Sequence, residues 1–134
     1  MGELAGAVLD SDVLIDYLRG AGPGRDLVPS LVRGGGYRVT AVTAFELALG
    51  AAYRRNPRPV HALLSVPLLA FGRRAGLRSG ELLAELRKRG FPVDFRDAMQ
   101  AGICLEAGAK LVTRNVAHFE RVPGLDLAHP DELL

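Results

Sequence analysis

Ala5-Gly6-Ala7-Val8-Leu9-Asp10-Ser11-Asp12-Val13-Leu14-Ile15-Asp16-Tyr17-Leu18-Arg19-Gly20 is the stretch that decides the fold. Ala5 to Leu9 is a short apolar run, which predicts a buried strand. Val13 to Leu18 then carries apolar residues at helical spacing, with Gly20 as the expected C-terminal stop. Asp10, Ser11 and Asp12 lie between the two elements, and Asp10 falls at the strand's carboxyl end. Asp and Ser are favoured helix caps, and one of the three is expected to cap the first helix. A cap needs only one such residue. Two carboxylates within three residues at a strand's carboxyl end exceed that need, which makes Asp10 a candidate functional residue.

The same alternation continues outward from this stretch. Leu27, Val28, Leu31 and Val32 predict an amphipathic helix stopped by Gly34, Gly35 and Gly36. Tyr37 to Val42 predicts a second strand, and Thr43 is expected to open a helix running to about Arg55, ended by Asn56-Pro57. A short helix is expected at Val60 to Leu64 and a third strand at Pro67 to Phe71. Ser79 to Arg89 predicts a helix whose basic end suits the helix dipole. Arg96 to Gly108 is apolar almost all round and predicts a buried helix. Strands are expected at Lys110 to Thr113 and Leu125 to Ala128, with one helical turn at Ala117 to Arg121. Strands alternating with helices from end to end predict a parallel sheet covered by helices on both faces, in one domain spanning residues 1–134. In such folds ligands bind beyond the carboxyl ends of the strands.

Composition narrows the function classes. The 134 residues are 49% hydrophobic and 24% charged, a globular balance that excludes a disordered chain. The single cysteine, Cys104, permits no internal disulfide and is expected to be a buried, inert thiol. Together with the lack of a signal-like start (Met1 to Leu9 carries Glu3 and no basic residue), this predicts a cytoplasmic protein. The longest mostly apolar stretch, Val39 to Tyr53, holds Glu46 and is too short to cross a bilayer. The formal net charge is +2, and the basic residues are nearly all arginine, whose planar fork suits phosphate. His61, His118 and His129 are scattered and expected at the surface, so no zinc spacing is present.

The informative acids each follow a predicted strand or open a predicted helix. Glu46 closes Thr43-Ala44-Phe45-Glu46, which also reads as a capping box, yet it is the only charge before Arg54 in an apolar or small run. Asp94 and Asp97 precede the buried helix, where one carboxylate would satisfy the dipole. Asn115, after the strand Lys110 to Thr113, either caps the following turn or contributes an amide to an acidic site. Asp10, Glu46 and Asp97 are far apart in sequence, so only the fold can gather them. Gathered carboxylates repel and resist ionisation. A divalent cation such as Mg²⁺ relieves that repulsion through oxygen ligands and can activate a water toward a phosphodiester.

These blocks resemble the PIN-domain family, and within it the toxin ribonucleases of the VapC type. Val8-Leu9-Asp10-Ser11-Asp12-Val13-Leu14-Ile15 looks like the family's opening strand and first acid. Thr43-Ala44-Phe45-Glu46-Leu47 with Gly50 looks like the second acidic block, and Asp97-Ala98-Met99-Gln100-Ala101-Gly102 like the third. Lys110-Leu111-Val112-Thr113-Arg114-Asn115, His118-Phe119 and Val122-Pro123-Gly124-Leu125 look like the closing block. The resemblance implies a three-layer α/β/α sandwich with a central parallel sheet. It also implies an Mg²⁺- or Mn²⁺-dependent endoribonuclease with Asp10, Glu46 and Asp97 as metal ligands, a homodimer, and a small antitoxin partner that blocks the site. Many members carry a fourth acid near Asn115; the amide here puts a second metal in doubt, and Asp12 is expected to compensate in part. Arg114 is a candidate phosphate contact. Leu49, Ala52 and Tyr53 with Val60, Leu63 and Leu64 are candidates for the dimer surface.

Three other readings compete. Asp10-Ser11-Asp12-Val13-Leu14 formally fits the Asp-x-Asp-x-Val motif of haloacid-dehalogenase-type phosphohydrolases, but no acidic pair follows Lys110. A receiver-like signalling domain needs an aspartate after the third strand, and no acid lies between Glu46 and Glu81. A PIN-like domain that binds RNA or a partner without cutting is the third, against which the intact acidic triad argues.

Overall fold

Val8 and Leu9 form β1, and their side chains leave the sheet on opposite faces, as the twofold period of a strand requires. Leu9 joins one apolar core and Val8 the other. Leu111 and Val112 repeat the division in β4. The computed structural model describes residues 6–134, so Ala5, the first residue of the predicted strand, and Met1 to Ala5 of the predicted signal-poor stretch lie outside the described residues.

The remaining elements are α1 (Ser11–Arg19), α2 (Gly24–Gly34), β2 (Val39–Thr40), α3 (Ala41–Leu49), α4 (Ala51–Arg55), α5 (Pro57–Leu64), β3 (Leu68–Leu69), α6 (Arg73–Lys88), α7 (Phe95–Ala107) and β5 (Leu127–Ala128). Two 3-10 turns follow β4 and β5, at Val116–His118 and Pro130–Leu133. β1 pairs with β4, β4 with β5, and β2 with β3, all parallel. A parallel bridge between Val8 and Arg38, with Leu9 N–H donating to Arg38 O at 3.0 Å, joins the two ladders. The strand order is therefore β3-β2-β1-β4-β5. The chain leaves β1 toward one edge and returns to its other side at β4, so the switch point lies at the carboxyl end of β1.

Helices cover both faces. Leu14 and Val13 of α1, Leu27, Val28 and Leu31 of α2, and Val60 and Leu63 of α5 pack on one. Leu86 of α6 and Ala101 and Cys104 of α7 pack on the other, with Phe119 and Val122. The three-layer sandwich is the expected architecture. Cys104 is fully buried, and burial pushes its thiol up to about 12, so it is inert as anticipated. No helix among the described residues is long and apolar enough to cross a membrane.

Several boundaries differ from the sequence reading, each for a physical reason. The second strand ends at Thr40, and α3 begins at Ala41 rather than Thr43, because Thr40 is the cap: its Oγ1 accepts from Thr43 N–H at 3.1 Å. The predicted single helix to Arg55 is broken at Gly50, which is extended (φ −78°, ψ 163°). Asn56 ends α4 as expected and also caps α5, accepting from Arg58 N–H, with Pro57 in the first turn. α6 starts six residues before the predicted Ser79. Two members of the expected dimer patch are withdrawn from it: Val60 and Leu63 are 1% and 7% exposed, while Leu49 is 57% exposed and Ala52, Tyr53 and Leu64 are half-buried. Tyr37, whose hydroxyl donates to Leu63 O at 2.7 Å, draws α5 onto the sheet and turns Val60 and Leu63 inward.

Candidate active site at the carboxyl edge of the sheet

Asp10 follows β1 directly, is 8% exposed, and caps α1 by accepting from Ser11 N–H at 2.9 Å through Oδ1. The same oxygen accepts from Gln100 Nε2 at 3.1 Å. Oδ2 accepts from Thr113 Oγ1 at 2.8 Å. Asp10 thus caps a helix, but its other two donors come from α7 and from the end of β4, which a cap does not need. Burial pushes its carboxyl up to about 7, and the neighbouring charges of Asp12 and Glu46 push the same way against the donors.

Gln100 holds three elements together. Its Nε2 also donates to Thr43 Oγ1 at 2.9 Å, and Thr40 Oγ1 donates to its Oε1. Thr40, Thr43 and Gln100 are 0%, 0% and 2% exposed, and every polar atom of this cluster is partnered. Gln100 was not among the candidate site residues legible in the sequence. Its signal was a lone uncharged polar side chain in the otherwise apolar run Ala98 to Cys104.

Asp12 is also buried. Its Oδ2 accepts from Arg114 N–H at 3.0 Å and lies 3.3 Å from Thr113 Oγ1, while Oδ1 is a buried oxygen with no hydrogen-bond partner. The single Thr113 hydroxyl proton faces two carboxylates. Burial raises the Asp12 carboxyl against the pull of Arg114. Arg114 Nε sits 3.3 Å from Asp16 Oδ2 and 3.9 Å from Asp12 Oδ2, so this arginine is engaged by carboxylates of α1. Asp16, 4% exposed, was not singled out in the sequence; it also accepts from Gly24 N–H at 3.2 Å and fastens α2 to α1. Spacing showed it, since Asp12 and Asp16 lie four apart on one helix face.

Glu46 does not close a capping box. With the cap at Thr40, it lies in the second turn of α3, and its Oε1 accepts from Ser11 Oγ at 2.9 Å. Burial raises its carboxyl, Ser11 and Arg96 lower it, and Asp97 and Asp94 raise it. α7 is capped by Asp94, which accepts from Arg96 N–H at 2.8 Å. Asp97 instead faces His118, with Oδ2 to Nδ1 3.3 Å, and burial raises its carboxyl. His118 was expected at the surface; it is exposed, yet it borders the acidic cluster. The exposed Asn115 reaches the site through its backbone N–H, which donates to Thr113 Oγ1 at 3.1 Å.

Asp10, Glu46 and Asp97 therefore belong to one chain of mutually repelling carboxylates, with Asp12 and Asp94 at its ends. Among the described residues, no three His, Cys, Asp or Glu side chains stand ready to hold an ion. The expectation of one shared ion between the three is not met as the side chains stand. Each turns an oxygen to a protein donor instead: Gln100 and Thr113 for Asp10, Ser11 for Glu46, His118 for Asp97. The donor set still suits a hard cation. It is all oxygen, it includes the unpartnered Asp12 Oδ1, and its acids are raised in the direction that bound positive charge reverses.

The chain is similar to several known proteins. The tRNA(fMet)-specific endonuclease VapC of Salmonella typhimurium is 35% identical over 92 residues, covering 65% of this chain and 70% of that protein. The DNA-bound VapBC structure from Salmonella typhimurium superposes with a TM-score of 0.77 at 24% identity, covering 93% of this chain and 98% of that one. VapBC2 from Rickettsia felis gives a TM-score of 0.76 at 18% identity, covering 92% and 98%. The PIN domain family model matches residues 7–125. That match begins beside the strand that carries Asp10 and runs past Thr113 and His118, so all of the carboxylate edge lies inside it, and the chain belongs to the PIN-domain family.

Proposed function

We propose that this chain is a divalent-metal-dependent endoribonuclease and the toxin half of a toxin–antitoxin pair. The observation that carries the reading is Asp10: a buried carboxylate at the switch point of a parallel sheet, held by donors from two distant elements and crowded by Asp12 and Glu46. Asp10, Glu46 and Asp97 would hold Mg²⁺ or Mn²⁺, with Asp12 as a further oxygen donor. Bound there, the cation supplies charge neutralisation at a scissile phosphodiester and activation of a water.

The chain's own residues supply order. Gln100 and Thr113 fix the Asp10 carboxylate by hydrogen bonds to both oxygens. Ser11 holds Glu46 beside it, and His118 sets the orientation of Asp97. Arg114, bound to Asp12 and Asp16, stiffens the loop after β4, which favours a positioning role over the phosphate contact first considered. The endonuclease name of the 35%-identical relative supports RNA cleavage, and makes initiator tRNA the first substrate to test. The VapBC assemblies that share the fold support a small antitoxin partner.

The test is cleavage of initiator tRNA and total RNA by wild type and Asp10→Asn, with Mg²⁺, with Mn²⁺ and with chelator. Wild type is expected to cut only with a cation, and Asp10→Asn to lose at least a hundredfold. Cleavage that persists in chelator, or equal cleavage by both proteins, defeats the reading.

A further inference from the structure

We infer that Arg121 is the contact for the phosphate next to the scissile one, and that the cleft between Arg121 and Asp97 seats the nucleotide joining those two phosphates. The inference rests on the nuclease reading above and adds to it the residue that holds the RNA strand.

The cleft has a volume of about 430 Å³, within the range of about 300–1,000 Å³ for sites that take small ligands. Asp94, Asp97 and His118 line it from the acidic edge. Phe91 and Val122, which pack in the core beneath α6 and α7, line it together with Arg121. Arg121 is exposed, but its place is fixed. Phe119 and Val122, to either side of it in the chain, are buried, and Val122 N–H donates to Phe119 O at 3.0 Å. The Arg121 guanidinium carbon lies 4.0 Å from the Phe91 ring centre. A guanidinium laid over a ring spends its face on the aromatic and keeps its N–H donors, which lie in its plane.

Elimination along the acidic edge points to the same residue. Arg96 pairs with Asp94, and Arg114 with Asp12 and Asp16, so their charges are already answered. Arg121 makes no ion pair among the described residues, and it lines the same cleft as Asp97. RNA presents a phosphate at every nucleotide. With one phosphodiester at Asp10, Glu46 and Asp97, a strand lying in this cleft brings its next phosphate away from those acids and to the unanswered cation. Phe91 and Val122 meet the sugar and base in between. Carboxylates alone repel the strand, so a fixed cation one nucleotide away keeps the phosphodiester in register. Phosphate contacts of this kind position a nucleic acid without reading its sequence.

The test measures binding of a short single-stranded RNA of mixed sequence in the Asp10→Asn background, which keeps the RNA intact, from about 50 to 200 mM KCl. Each phosphate contact on a single strand adds about 0.7 to the steepness of log affinity against log salt. Arg121→Gln should lower that slope by about 0.7 and weaken binding about tenfold. Arg121→Lys, which keeps the charge, should restore the slope. Arg33→Gln, an equal loss of charge at the end of α2 on the other face of the sheet, should change neither quantity. An unchanged slope in Arg121→Gln overturns the inference even if the unfolding midpoint falls, because a merely structural arginine moves stability and not the number of phosphates held. A lysine variant as shallow as the glutamine one, or an equal drop in Arg33→Gln, overturns it too. So does a parent protein that does not bind the RNA. Failure of the nuclease reading has a different signature: protein with Asp10 intact leaves RNA uncut in Mg²⁺ and Mn²⁺.

Discussion

Gln100 Nε2 donates to Asp10 Oδ1 at 3.1 Å, tying the acid at the end of the first strand to the middle of α7 across 90 residues of chain. The bond is one of three made by a side chain that is 2% exposed. Gln100→Ala leaves Thr40, Thr43 and Asp10 short of partners in a buried place, and is expected to cost about 1–3 kcal/mol of stability. Gln100→Glu sets a second carboxylate against Asp10 and should cost more at neutral pH than at pH 4. Urea unfolding at both pH values measures the two effects; a Gln100→Glu cost that is independent of pH would contradict the contact.

The Asp10 carboxyl, ordinarily near 3.8, is pushed up to about 7 in the fold. Between those values the folded chain keeps a proton that the unfolded chain has released. The stability this proton confers is complete below about pH 4 and is lost as pH rises through about 7. In chelator, the wild-type unfolding midpoint should fall across that window, and Asp10→Asn should lack this part of the fall. Asparagine fits the site, since its oxygen can accept from Ser11 and Gln100 while its amide donates to Thr113 Oγ1. Mg²⁺ or Mn²⁺ should raise the wild-type midpoint at pH 8 and leave Asp10→Asn nearly unmoved. Calorimetric scans from pH 4 to pH 8 decide it, and superimposable profiles for the two proteins would refute the assignment.

Helices α6 and α7 meet at Gly102. A Cβ there would overlap Ser79 Oγ and approach Ala75 O to 3.1 Å, and Ser79 Oγ already donates to that carbonyl. Gly102→Ala forces the helices apart and is expected to cost about 1–3 kcal/mol, the range for overpacking a tight contact. The helix-forming gain of alanine is smaller. Chemical denaturation is the measurement, and a variant as stable as wild type would show that the contact yields without strain.

What the sequence made legible depended on range. β1, α1 and the Gly20 stop were readable because buried strand, cap and amphipathic spacing are local properties. The start of α3 was not. Thr40 and Thr43 both suit a cap, and the choice falls to Thr40, whose hydroxyl also donates to Gln100 sixty residues away. The same blindness applied to Val60 and Leu63, whose direction depends on Tyr37 reaching α5. At the site, the acids were legible because charge after an apolar run is conspicuous. Their holders Ser11, Thr113 and Gln100 were not, because a neutral polar side chain reveals its role only through its partner.

The strand order also sets a timetable. β1 is made first, yet its neighbour β4 and the donors Gln100 and Thr113 come from the last third of the chain. A nascent chain emerging from the ribosome carries Asp10 long before Gln100 and Thr113 can fix it. Pairings so distant in sequence also close slowly, because the loop entropy is lost before the contacts form. The acidic edge is therefore complete only once nearly the whole chain has been made.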